Sequence, residues 1–211
     1  ARLDIEAKFI VENWEKRREA AFGKGMIVVM SRRIAVKLYE KIVALRPEWH
    51  SDDPTQGKIK VVMTGSAADP VEFQPHIHDK QTRRDLKLRA KNPEDSLELV
   101  IVRDMWLTGF DAPSMHTMYV DKKLSGVKAV QTLSRLNRMC AGKEDTFILD
   151  FANDTQDILD SFQPYYELTS ITETSDPNHL YDLKAELEKA NVVWETEVNN
   201  FCNLFFKSSK S

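Results

Sequence analysis

The sequence has only two cysteines, Cys140 and Cys202, among its 211 residues. Their spacing suits neither a zinc site nor a secreted disulfide framework, so they read as reduced thiols of a cytoplasmic protein. No run of about 18 apolar residues occurs, so no membrane-spanning helix and no membrane partner are expected. The first 25 residues are charged and helical in pattern, where an export signal would show a basic head and an apolar core. Strong net charge is missing too. Lys and Arg number 30 against 33 Asp and Glu, so any nucleic-acid contact must come from local basic patches. Glycines number seven, and none builds the G-x-x-x-x-G-K-[ST] loop that cradles phosphates. "GKG" at 23–25 lacks the loop and its hydroxyl residue. No Ser-His-Asp, Cys-His or paired-carboxylate constellation stands out. His76 and His78 in "HIH" have no acidic or cysteine partner at ligand spacing, so no metal site is expected.

What is present is an alternation. "MIVVM" (26–30), "KIKVVMTG" (58–65), "LELVIV" (97–102), "HTMYV" (116–120) and "TFILD" (146–150) are short apolar runs that read as buried strands. Between them lie amphipathic stretches. A lead-in helix shows Ile5, Phe9, Ile10 and Trp14 at helical spacing. A second helix is capped by Ser31, carries Ile34, Leu38 and Ile42, and is stopped near Pro47. A basic helix covers 79–91, and another runs over "GVKAVQTLSRLNR" (126–138). This order predicts an α/β fold: a parallel sheet with helices on both faces, its working residues on loops past the carboxyl ends of the strands. After "DFANDTQDILDSF" the texture turns polar and turn-rich, then helical again. Residues 1–162 are therefore expected to form the main domain, and 163–211 a linker with the start of a helical segment; the "KSSKS" tail reads as disordered.

Within "QTLSRLNR", Gln131, Arg135 and Arg138 sit at offsets of zero, four and seven, which on a continuous helix places them on one face. Two guanidiniums and an amide on one stripe offer forked donors to phosphate oxygens, although an Arg-x-x-Arg pair is ordinarily a solvated face. Upstream, "LTGFDAP" offers the Thr108 hydroxyl, the permissive backbone of Gly109 and the Asp111 carboxylate. The basic stripe of Lys80, Arg83, Arg84, Lys87, Arg89 and Lys91 is read as a solvated face in preference to a backbone-tracking one.

Taken together, "MIVVMSRRIAVKLYEKI", "LTGFDAP" with "MYVDKKL", and "QTLSRLNR" resemble motifs IV, V and VI of the second RecA-like domain of a superfamily 2 translocase. More narrowly, they resemble the motor (R) subunit of type I restriction enzymes. The resemblance implies ATP and Mg2+ bound jointly with a first RecA-like domain that brings the phosphate loop. It implies Arg138, favoured, or Arg135 as the arginine finger, and Gln131, Asp111 and Gly109 near the nucleotide. Thr108, Ser31, Arg32, Thr64, Gly65 and Ser66 are implied on the DNA backbone. The implied parent hydrolyses ATP, translocates double-stranded DNA and cleaves it with a nuclease domain of the same chain, beside methylation and specificity subunits. The chain alone is expected to be inactive. Another superfamily 2 DNA or RNA helicase, or a non-catalytic nucleic-acid-binding module of this fold, remain the alternatives.

Overall fold

The computed structural model describes residues 2–20, 23–141, 143 and 145–167. The helix expected over 179–206, the tail and Cys202 lie outside the described residues. The chain divides into two compact units, residues 1–164 and 165–211. The expected boundary near residue 163 falls inside the last described helix, Thr155–Glu167.

Among the described residues, five strands form one sheet: β1 (Lys24–Val29), β2 (Ile59–Val62), β3 (Leu99–Val102), β4 (Met115–Asp121) and β5 (Phe147–Asp150). All neighbours are parallel, and the order is β2-β3-β1-β4-β5. The helices are α1 (Arg2–Ala20), α2 (Arg32–Leu45), α3 (Lys80–Lys91), α4 (Gly126–Leu133) and α5 (Thr155–Glu167). Right-handed crossovers assign each connection to a face. The step from β1 to β2 runs one way along the sheet and carries α2 on one face. The three later steps run the opposite way, so α3, the loop 103–114 and α4 all cover the other face. This is the parallel α/β sheet expected from the alternation, in the RecA-like form that the motif resemblance implied.

Each face closes its own core. On the first, Ile10, Val11 and Trp14 of α1 and Leu38, Tyr39 and Ile42 of α2 pack on Ile27, Ile59 and Ile101. On the second, Leu86 of α3 and Ala129 and Leu133 of α4 pack on Met26, Val100, Met118 and Val120. Full burial of each such aliphatic side chain contributes about 1.5–3 kcal/mol. The buried stripe of α1 is Ala7, Ile10, Val11 and Trp14, while Ile5 and Phe9 stand 70% and 47% exposed. The expected stripe is thus corrected by part of a turn. Spacing i, i+3, i+4, i+7 selects the side that meets the sheet, and Ile5 and Phe9 fall off it. Arg2 fastens this helix to the end of β4 through two bonds to the buried Asp121, at 2.9 and 2.8 Å.

Helix α2 begins where Ser31 accepts a hydrogen bond from the Ile34 amide at 3.2 Å. It ends at Leu45, because a residue before proline is pushed out of helical geometry and Pro47 follows Arg46. Ser31→Ala is expected to lower stability by about 1 kcal/mol, the worth of an N-cap, measured by denaturant unfolding.

The basic helix α3 departs from a solvated face at one residue. Arg89 is buried and donates to the carbonyls of Pro54, Gln56 and Gly57, to Ser96 and to Asp95. Beside it, Lys24 is buried with its ammonium donating to the carbonyls of Arg89 and Asp95 at 3.2 and 3.0 Å. Burial pushes that ammonium down to about 8. These two cations tie together the amino-terminal edge of the sheet, the edge opposite the candidate site.

Candidate functional site

The loops at the carboxyl ends of the strands hold two groups of side chains. The first lies after β1, β2 and β3 around an open pocket of about 520 Å³, lined by Arg32, Thr64, Gly65, Ser66, Asp69 and Arg103. The sequence brings four of these to the site: Arg32 opens α2, and Thr64, Gly65 and Ser66 follow β2. Ser31 is not among the lining residues, and its hydroxyl serves the Ile34 amide of α2. Arg32 is engaged. Its guanidinium donates to Asp69 Oδ1 and Oδ2 at 2.8 and 3.0 Å and to the Thr64 carbonyl at 3.0 Å, and lies 5.4 Å from the Phe73 ring centre. The Arg32 hydrogen bond, followed by the Ser66 amide, holds the Asp69 carboxyl below the usual range. Gly65 permits a close approach. A β-carbon there would meet Ile77 Cδ1 at 2.4 Å and Asp69 Oδ2 at 2.9 Å.

Asp69 and Arg103 escaped the sequence reading. Arg103 lies in "VIVRDMW" directly past β3, and its position on a strand's carboxyl end was the available signal. It is half exposed and touches Asp104 at 3.2 Å, and Lys122 approaches the same Asp104 at 2.5 Å.

The second group joins the loop after β3 to the segment after α4. The expected continuous helix over 126–138 is corrected. The α-helix ends at Leu133, a 3-10 turn covers Ser134–Asn137, and Arg138 has extended backbone angles (φ -76, ψ 131). The tighter turn brings Leu136 into full burial against the second core, a constraint that outweighs continuation of the helix. Gln131, Arg135 and Arg138 nonetheless line one open pocket of about 400 Å³, with Ser134 and Asn137.

The two arginines differ. Arg135 is half-buried and donates to the carbonyls of Leu107 and Phe110, both at 3.1 Å. Arg138 is 58% exposed and stands 3.4 Å from Asp111 Oδ1. Thr108 and Gly109 are exposed on the loop whose carbonyls Arg135 holds. Gly109 has φ +66 with open space around it, a conformation that glycine adopts without cost. Trp106 takes the same left-handed region (φ 68), although buried, and stacks on Phe110 with ring centres 4.6 Å apart. A bulky residue held there costs about 1–3 kcal/mol, which the packing of the loop must offset.

Lys143 also escaped the sequence reading. Its ammonium donates to the carbonyls of Pro113, Leu136 and Arg138, bracing the Arg138 segment against the β3–β4 loop. Burial lowers its pKa.

His76 packs edge-on against Tyr39, ring centres 4.7 Å apart, and burial holds it at about 4. Among the described residues no group of three or more His, Cys, Asp or Glu is placed to hold a metal ion, and no helix is long and apolar enough to cross a membrane.

Comparison with known proteins sets these loops in a family. Residues 68–153, from the Asp69 loop to three residues past β5, match the family described as type I restriction enzyme subunit R domain 3. The type I restriction enzyme HindI endonuclease subunit of Haemophilus influenzae is 41% identical over 201 residues, covering 93% of this chain and 19% of that subunit. The putative MjaIXP endonuclease subunit of Methanocaldococcus jannaschii is 34% identical over 209 residues, covering 99% of this chain and 19% of that protein. This chain thus spans about a fifth of the length of these relatives. A solved fragment of a putative HsdR subunit of a type I restriction enzyme from Vibrio vulnificus shares the fold with TM-score 0.57 at 18% identity, covering 74% of this chain and 28% of that one. The family match and these relatives, on a parallel RecA-like sheet, show that the chain belongs to the R (endonuclease) subunit family of type I restriction enzymes.

Proposed function

We propose that this chain supplies the second RecA-like half of an ATP-driven motor that translocates double-stranded DNA within a type I restriction enzyme. The observation that carries the reading is the pocket of Gln131, Arg135 and Arg138, in which one guanidinium is braced by loop carbonyls and the other stands exposed. Donors so arranged fit the phosphate oxygens of ATP. A fixed arginine holds the loop, and an exposed fork, held only by the surface pair with Asp111, can reach outward to charge that develops during phosphoryl transfer.

The fit to Mg2+ is different. The described residues offer no carboxylate cluster for it, so on this reading the metal and the phosphate loop belong to the first RecA-like domain. ATP, when bound, supplies the phosphoryl group. This chain's part is to orient Arg138 across the cleft, to hold Gly109 and Asp111 beside it, and to pass motion to the DNA side through the β3–β4 loop. That side is the groove of Arg32, Thr64, Gly65 and Ser66, with Thr108 and Ser31 as further candidates. Contacts there would be to phosphates and independent of sequence, as movement along any duplex requires. DNA cleavage by a nuclease domain, the methylation and specificity subunits, and a cytoplasmic setting complete the proposal.

The test compares the full-length subunit with this chain alone. Duplex DNA should stimulate ATP hydrolysis by the former, and the 211-residue chain should hydrolyse none. Turnover by the isolated chain, or stimulation by single-stranded RNA in preference to duplex DNA, would overturn the reading.

A further inference from the structure

The groove after β1, β2 and β3 already holds an anion, and the chain itself provides it. Arg32 presents two nitrogens to the two oxygens of Asp69, at 2.8 and 3.0 Å. The Ser66 backbone amide donates to Asp69 Oδ2 at 2.8 Å. A guanidinium fork with one backbone N–H is the donor set that holds a phosphate, whose geometry a carboxylate reproduces. Asp69 is 16% exposed and Arg32 35% exposed, at the wall of an open pocket of about 520 Å³.

We infer that Asp69 is a built-in competitor for the DNA backbone: its carboxylate occupies a phosphate seat made by Arg32 and the Ser66 amide, and duplex DNA must displace it to engage them. The inference rests on the proposed reading of this groove as a DNA contact.

Two observations make the exchange feasible. Asp69 follows a run of exposed residues, Thr64 to Ala68, so its side chain can rotate into the open pocket while the bonds from the Asp69 amide to the Ser66 carbonyl and from the Gln74 side-chain amide to the Asp69 carbonyl keep the loop in place. The pair it breaks stands at the wall of an open pocket, and the incoming phosphate takes over the same donors, so the bidentate bonds lost to Asp69 are remade. Arg103, on the same pocket, is the more exposed cation, 52% against 35% for Arg32. Its counter-ion, Asp104, is shared with Lys122, whereas Asp69 serves Arg32 with both oxygens. The motor thus carries a neutralised seat between DNA contacts and exposes a full one only when a phosphate has arrived. Such exchange favours release and rebinding over static grip.

The experiment measures binding of the full-length subunit to a duplex of arbitrary sequence, by fluorescence anisotropy across a salt series. Asp69→Asn keeps an oxygen to accept from the Ser66 amide but removes the charge. It should tighten binding by about 2- to 5-fold and steepen the dependence of log K on log salt by up to about one unit. Asp69→Ser serves as a second neutral variant and should change affinity in the same direction. Arg32→Gln should weaken binding, and on that background Asp69→Asn should gain nothing, because the seat is gone. If the Asp69 variants bind no better than the parent while Arg32→Gln binds worse, the competitor role is overturned and Asp69 only shapes the loop. If Arg32→Gln leaves affinity unchanged, the DNA reading of the groove fails, and the inference with it.

Discussion

In the full-length subunit, Arg138→Ala is expected to lower DNA-stimulated ATP hydrolysis by about 10³-fold or more, the scale of a lost arginine finger, with stability nearly unchanged. The structure separates this arginine from its neighbour. Arg138 is 58% exposed, and its contact with Asp111 at 3.4 Å is a surface pair. Such pairs contribute about 0–1 kcal/mol, so its loss barely touches the fold. Arg135 is a strut whose two bonds to Leu107 and Phe110 fix the loop that carries Thr108, Gly109 and Asp111. Arg135→Ala should therefore lower hydrolysis and also lower stability by about 1–3 kcal/mol, because two carbonyls lose their donor. Lysine at 138 should not restore turnover, since a point charge does not reproduce the planar fork. Phosphate release and thermal melting measured on the same variants separate the roles. Near-normal turnover in both alanine variants would remove the finger assignment altogether.

Arg89→Met should destabilise the chain by about 3–5 kcal/mol, the cost of breaking a buried pair and stranding its partners. Its side chain is 9% exposed and serves Asp95, Ser96 and three carbonyls of the 54–57 turn. Methionine keeps the apolar stem but takes the guanidinium from those carbonyls and leaves the Asp95 carboxylate with the Leu97 amide and without its paired cation. Lys24 donates to the backbone carbonyls of Arg89 and Asp95 themselves, so the loss reaches the start of β1. Arg84→Ala, on the exposed side of the same helix, should stay within about 0.5 kcal/mol. Urea unfolding of both variants checks the contrast. Equal midpoints would mean that the basic helix is a solvated face throughout.

These two expectations mark where reading the sequence succeeds and where it stops. Alternating apolar runs and amphipathic stretches are local signals. They suffice for five strands, for helices on both faces and for a working edge past the strands' carboxyl ends. The end of α2 before Pro47 and its cap at Ser31 are local too, and both are where the sequence places them. The grouping of Gln131, Arg135 and Arg138 was also legible, although the helix thought to align them stops at Leu133.

Partners from far along the chain were not legible. Nothing near Arg89 in the sequence says that carbonyls 32 to 35 residues earlier will surround it. Asp69 lies 37 residues from Arg32, and Leu107 lies 28 residues from Arg135. The sequence by itself determined the fold class and the family and pointed to some of the side chains past the strands' carboxyl ends, because periodicity and motif spacing are short-range properties; Asp69, Arg103 and Lys143 it left out. Only the tertiary structure decided which arginines stand exposed in surface pairs and which are committed to backbone carbonyls. A guanidinium's role depends on the acceptors that the strand order β2-β3-β1-β4-β5 brings beside it, and those acceptors are distant in the chain.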